Sequence, residues 1–177
     1  MDLPTNVYPL FAQALRKEEK KTAATHLDEC SVLFSEFSKI ASKNPYSWFP
    51  SYRSAAEIAE ETSNNRMVGF PYTKYLNSVI RVNMASAFIL MSKGKADELN
   101  VAENKRVYVH GCSILNDIWN VTERPDFHSS PAIKTCVNQS LDQAEIPLSD
   151  IKHFDLYSCF PSAVQIAKKE LGIPEEK

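Results

Sequence analysis

Residues 155–173, "DLYSCFPSAVQIAKKELGI", contain the change from an apolar run to a helix that decides the fold class. The run "HFDLYS" at 153–158 is a candidate strand, and Phe160-Pro161 places a proline in the first turn of the helix that follows. Gly172 supplies the residue type that commonly ends a helix. The stretch therefore predicts a strand leading directly into a helix, whose apolar face consists of Val164, Ala167 and Leu171.

Polar side chains fill the junction between this strand and this helix. Tyr157 and Ser158 stand at the carboxyl end of the predicted strand, which is where open α/β sheets hold their ligands. Ser158 has a second interpretation, as a cap of the helix backbone. Cys159 precedes a helix N-terminus, which favours a reactive thiolate, but a cysteine here is also a common small core residue.

The same alternation extends upstream. Apolar runs at 84–92 ("MASAFILMS") and 106–114 ("RVYVHGCSI") are predicted strands, and the first suits a strand buried on both faces. Ser130-Pro131 begins a further helix, whose apolar face consists of Ile133, Val137, Leu141 and Ala144. Strands that alternate with helices predict the α/β class.

The first part of the chain is helical and rich in loops. Helical spacing predicts a helix over 8–21 and another from Thr25 to Asn44-Pro45, and a short helix from Ser54 interrupts the loop that follows. We predict two regions, a helical and loop region at 1–76 and an α/β region at 77–177.

Composition excludes several classes of protein. The 177 residues carry a formal charge of −2, which provides no basic field for nucleic acid or an anionic membrane. No apolar run approaches the roughly 20 residues of a membrane span, so we expect a cytoplasmic protein. The four cysteines form no CxxC pair and the four glycines form no phosphate-binding loop, so neither a metal site nor a dinucleotide fold is predicted.

Three segments together resemble the thiolase superfamily. They are "NRMVGFPYTKYLNSVIRVNMASAFILMS" at 65–92, "FHSSPAIKTCVNQSLDQAEIPLSDI" at 127–151, and the stretch at 155–173. The likeness is greatest to the acetyl-CoA acetyltransferase-like proteins that stand near the sterol-carrier-protein type of thiolase. It runs over nearly the whole chain, including "YPLFAQALR" and "NPYSWF", which look like the loop-domain segment of the family.

The resemblance implies a layered α/β fold of two similar halves with an inserted loop domain. This chain looks like the loop domain plus the start of the second half, and thus like a fragment. The family's nucleophilic cysteine would precede Met1, and its C-terminal histidine and cysteine would follow Lys177. None of the four cysteines here corresponds to either position.

The resemblance also implies candidate site residues. Tyr157 stands where many members carry an asparagine or histidine that supports an oxyanion, and Ser158 stands where they carry an acid. Asn77 falls near residues that approach bound coenzyme A, and Asn83 falls near the family's aspartate in the turn before the buried strand, so both are candidates for substrate binding. His128 has no counterpart in this comparison and is a further candidate because it precedes a helix N-terminus, which favours an anion. Tyr157 and Ser158 depart from the usual residues, since a phenol is longer than asparagine and a hydroxyl lacks the charge of a carboxylate.

The implied activity is that of an acyl-CoA acyltransferase that forms or cleaves a carbon-carbon bond. The coenzyme A thioester is the substrate, no bound cofactor is expected, and the intact protein is expected to be a homodimer or part of a hetero-complex. We expect the chain alone to be inactive, because the main catalytic residues are absent. Two alternatives remain: a non-catalytic acyl-CoA-binding or scaffold subunit, and an α/β domain with no ligand.

Overall fold

The computed structural model describes residues 3–174. Two long helices come first, α1 (Pro4–Glu18) and α2 (Ala23–Ala41), followed by the short α3 (Ala55–Ala59). An antiparallel hairpin of β1 (Met67–Gly69) and β2 (Tyr72–Thr73) comes next. The remaining α-helices are α4 (Lys93–Glu98), α5 (Pro131–Ala144) and α6 (Pro161–Leu171). Short 3-10 turns lie at Lys74–Leu76, Glu103–Lys105, Val121–Glu123 and Leu148–Asp150.

Local capping explains where the first helices begin. The Thr22 hydroxyl accepts a hydrogen bond from the Thr25 N–H at 3.1 Å, so the N-cap of α2 lies three residues before the cap predicted at Thr25. The Ser54 hydroxyl accepts from the Glu57 N–H at 3.2 Å, as the sequence predicted for α3. The predicted first helix, 8–21, is also displaced toward the N-terminus, since α1 already starts at Pro4.

The core joins the first helices to the hairpin and to α6. Six buried side chains form it: Ala12, Cys30, Ile58, Tyr72, Leu76 and Phe160. Phe160 therefore anchors the start of α6 on the helices of the first region. The division of the chain at residues 76 and 77 stays a prediction.

Helix α6 has the bounds and the buried face that its sequence predicted. Pro161 occupies its first turn, and Val164 and Ala167 are buried. Gly172 ends the helix in the left-handed conformation, at φ 63°, which favours glycine because it has no Cβ. The Ser162 N–H, free at a helix start, donates to the Tyr72 hydroxyl at 3.2 Å.

The three predicted strands are not formed in the described residues. The runs at 84–92, 106–114 and 153–158 are extended but unpaired, and side chains such as Phe88 and Val107 are 88% and 94% exposed. A strand needs neighbours to bond its N–H and C=O groups and a second layer to cover its apolar faces, and residues 3–174 provide neither for these runs. Prediction of buried strands was therefore wrong here, and the hairpin at 67–73 formed in a stretch predicted as loop.

Helices combined with a small sheet agree with the predicted α/β class. Within residues 3–174, no helix combines the length and the apolar character that a membrane crossing requires.

Candidate active site at the start of helix α6

The segment before α6 is held from two sides. The Ser78 N–H donates to the carbonyl of Cys159 at 3.1 Å, and the Asn77 side-chain amide donates to the carbonyl of Thr73 at 2.7 Å. Asn77 is thus fixed to the hairpin one residue before the contact with Cys159. The structure therefore brings the predicted Asn77 close to the predicted Tyr157 and Ser158 segment.

Tyr157 presents its phenol at the surface of this segment. Its side chain is 61% exposed, and its ring stacks on Tyr8 of α1 with centroids 6.4 Å apart. Tyr8 also stacks on Phe160 at 4.1 Å, which ties the arrangement to the core. The neighbouring Cys159 side chain, partial burial and Tyr8 raise the pKa of Tyr157. The phenol is therefore protonated at neutral pH and has an O–H that can donate a hydrogen bond.

Ser158 does not cap α6. The N-cap residue is Phe160, and no side chain bonds the first turn at that position, so the capping interpretation was wrong. Ser158 is exposed and lines a groove of about 650 Å³ together with Phe37, Val164 and Ile173. Tyr157 lines a different cavity, so the side chains of these two adjacent residues lie on opposite sides of the segment.

The other two predicted binding residues do not line the cavity that Tyr157 lines. Asn83 is exposed within the extended, unpaired segment and lines neither cavity. His128 is half-buried, with Nδ1 3.7 Å from Asp126 Oδ1 and Nε2 4.0 Å from Glu18 Oε2. Its backbone N–H donates to Asp126, so in this structure His128 belongs to the turn that precedes α5.

A cavity of about 400 Å³ opens beside Tyr157, between α1, α5 and α6. Such a volume lies within the range of small-molecule sites, roughly 300–1,000 Å³. Most of its wall is apolar, and the wall includes Tyr8, Phe11, Ile133, Leu156, Ile166 and Ala167. The cavity could therefore bury an apolar group whose polar end lies at Tyr157.

Charged groups interrupt this apolar wall at one end. Arg124 Nη1 lies 3.1 Å from Asp117 Oδ2, which also accepts a hydrogen bond from the Ser130 hydroxyl at 2.7 Å. Burial opposes ionisation of Asp117, but the bonds from Ser130 and Arg124 outweigh it and lower the pKa of the carboxyl. The Ser130 N–H in turn donates to Glu170 on α6 at 2.9 Å. These side chains lie far apart in sequence, and no local pattern identified Asp117 or Arg124 beforehand.

Two of the cysteines, Cys30 and Cys159, lie in the core or against it. Cys30 is fully buried, and burial raises the pKa of its thiol to about 12. Its sulfur lies 3.7 Å from His26 Nε2, but His26 is buried as well, and burial lowers its pKa. Cys159 packs against the core with its backbone bonded to Ser78. The described residues contain no cluster of side chains that could hold a metal ion.

Comparison with known proteins identifies the fold. The chain matches no protein-family model and no curated protein. Among solved structures it is similar to a monomeric SCP2-thiolase-like protein type 1 from Mycobacterium smegmatis, with a TM-score of 0.85 and 33% sequence identity. The match covers 99% of this chain and 39% of that chain. In fold and in sequence, this chain is thiolase-like, of the SCP2-thiolase-like type.

Proposed function

We propose that this chain is part of a thiolase-like acyl-CoA acyltransferase, in which it supports the reacting thioester. The observation that carries the proposal is the exposed, protonated phenol of Tyr157 at the start of α6, beside an apolar cavity. The likeness to the SCP2-thiolase-like protein supports the reaction class. Carbon-carbon bond formation or cleavage on a coenzyme A thioester is the proposed chemistry, with no bound cofactor and in the cytoplasm.

In this chemistry a covalently acylated nucleophile and a base act on the thioester, while hydrogen bonds stabilise the enolate and the oxyanions. Tyr157 is suited to the last of these roles, because a neutral phenol donates a hydrogen bond without supplying charge. Ser158, which faces the other groove, would not act on the same oxygen. Asn77 would fix the segment through the hairpin, while Asn83 and His128 remain proposed contacts to coenzyme A.

The chain alone is proposed to be inactive, because none of its cysteines fits the role of nucleophile. Turnover of acetoacetyl-CoA by the purified chain above background would contradict this. Binding is a separate question, and calorimetric titration with acetyl-CoA tests it directly.

The role of Tyr157 is tested by Tyr157→Phe, which removes only the hydroxyl. We expect weaker binding of acetyl-CoA by the chain, and slower turnover when the equivalent residue is changed in a full-length, active relative. Tyr46→Phe is the matched control, since Tyr46 is 86% exposed in a distant loop. Equal affinity and equal turnover for Tyr157→Phe and Tyr46→Phe would refute the oxyanion role.

A second candidate is a non-catalytic acyl-CoA-binding or scaffold subunit. The exposed apolar side chains at 84–92 and 106–114 favour it, because such surfaces mark association with other polypeptides. A homodimer or a hetero-complex would cover them. Light scattering on the purified chain tests self-association, and a monomer at all concentrations would exclude the homodimer.

A further inference from the structure

Arg124 is an unusual residue for an apolar cavity wall. Its side chain is only 9% exposed, and it lines the cavity beside Tyr157. The guanidinium carbon lies 5.3 Å from the centre of the Phe11 ring, so a cation-π contact adds to its fixed position. Arg124 therefore belongs to the cavity as a rigid, buried cation and not as a mobile surface charge.

The hydrogen bonds of Arg124 are incomplete. Nη1 pairs with Asp117, Nη2 donates to the carbonyl of Ser129 at 2.9 Å, and Nε donates to the carbonyl of Asp126 at 3.4 Å. A guanidinium has five N–H donors. One donor on Nη1 and one on Nη2 thus have no acceptor among residues 3–174. Because Arg124 lines the cavity, these two N–H groups are open to an acceptor on a ligand held there.

The charge of the site restricts what that acceptor is. Asp117 is ionised, since its pKa is lowered, and it already neutralises Arg124. Glu170, bonded to the Ser130 N–H, adds a second carboxyl behind the pair. A ligand carboxylate would be repelled by both carboxylates, whereas a neutral carbonyl or hydroxyl oxygen would accept from Arg124 without that cost.

We propose that the cavity binds an acyl group bearing a neutral oxygen, keto or hydroxyl, several carbons from the thioester, and that Arg124 donates a hydrogen bond to this oxygen. The inference rests on the proposed function, because it places the thioester carbonyl at Tyr157, on the wall of the same cavity. The chain between the two oxygens packs on Phe11, Ile133 and Ile166. Arg124 is thereby a specificity-determining residue.

The test compares ligands that differ by one oxygen. Calorimetry on the purified chain measures the dissociation constants of hexanoyl-CoA, 5-oxohexanoyl-CoA and adipoyl-CoA. We expect the oxo compound to bind about tenfold more tightly than hexanoyl-CoA, as one hydrogen bond to a charged donor predicts. Adipoyl-CoA, which carries a carboxylate, should gain nothing over hexanoyl-CoA. Equal affinities for the oxo and unsubstituted compounds would overturn the proposal.

Two variants assign the preference to Arg124. Arg124→Met should abolish the tenfold preference, so that 5-oxohexanoyl-CoA and hexanoyl-CoA bind with equal affinity to the variant. Because this change leaves Asp117 unpaired, the double variant Arg124→Met with Asp117→Asn is the second measurement, and it should show the same loss. A preference that survives in both variants would refute the role of Arg124.

The failure of the proposed function would be recognised separately. Coenzyme A itself, titrated in parallel, reports on thioester recognition alone. If no coenzyme A compound binds, saturation-transfer NMR with methyl hexanoate and methyl 5-oxohexanoate tests the cavity without coenzyme A. A stronger signal from the oxo ester, lost in Arg124→Met, supports the inference, and equal signals contradict it.

Discussion

Replacement of Asn65 by alanine should be among the most destabilising single changes in the first region. Asn65 is 1% exposed and follows α3 in a turn. Its Nδ2 donates to the carbonyls of Ile58 at 2.9 Å and Glu60 at 2.8 Å, and its Oδ1 accepts from the Tyr75 N–H at 2.9 Å. The substitution removes these three bonds together, although the Ile58 carbonyl keeps a hydrogen bond from the Thr73 hydroxyl at 2.8 Å. At about 1 kcal/mol for each bond, Asn65→Ala should lower the free energy of unfolding by about 3 kcal/mol.

Urea unfolding followed by far-UV circular dichroism measures this loss. With a urea dependence of about 2 kcal/mol per molar, the midpoint should fall by about 1.5 M. Asn64→Ala is the matched control, because the neighbouring Asn64 is exposed and its replacement should change stability by less than about 0.5 kcal/mol. If the two variants unfold within 0.1 M of one another, or about 0.2 kcal/mol at that urea dependence, the accounting of hydrogen bonds at Asn65 is wrong.

Three further predictions concern His26, Gly172 and Cys30. His26 is fully buried, and burial lowers the pKa of its imidazole from 6.5. As pH falls below that value, the imidazole is therefore protonated more readily in the unfolded chain than in the folded chain. Stability should therefore decline as pH falls below about 6.5, and His26→Phe should flatten that decline in urea titrations, whereas an unchanged slope would count against it. Gly172→Ala places a Cβ on a residue with φ 63°, and no other atom lies within 4 Å of it. Backbone strain alone should therefore lower the free energy of unfolding by about 1 kcal/mol. Thermal unfolding measures this loss, and an unchanged melting temperature would contradict it. Cys30, buried with a pKa of about 12, should react with a thiol reagent only after unfolding, while the exposed Cys112 reacts in the native chain; equal rates would show that the core opens readily.

Sequence patterns predicted those elements whose causes are local. The prolines of Ser130-Pro131 and Phe160-Pro161 mark the starts of α5 and α6, and Gly172 marks the end of α6, because capping depends on adjacent residues. The apolar runs at 84–92 and 106–114 have the composition of strands, but pairing depends on distant neighbours, and the described residues contain none for them. Composition alone therefore predicted more strands than the described residues form.

The residues of the candidate site likewise differ in whether a local sequence pattern points to them. Tyr157 was singled out because a motif of adjacent residues marks the start of helix α6, although the strand predicted before it is not formed. Arg124 and Asp117 were not, because their pairing depends on a fold that brings residues 117, 124, 130 and 170 together. Tyr8 and Phe11 belong to the helix predicted at 8–21, and only the packing of α1 on α6 places them in the wall of the cavity.

The bond from the Ser162 N–H to the Tyr72 hydroxyl has a consequence for dynamics. Because the bond from the Ser78 N–H to the Cys159 carbonyl is a second link, we expect the hairpin and the first turn of α6 to open and close as one cooperative unit. A ligand held by Tyr157 stabilises the closed state of that unit, so amide protons at Met67–Thr73, which touch no ligand, should exchange more slowly with solvent when the cavity is filled. Hydrogen exchange at the hairpin would thus report occupancy of the site from a distance.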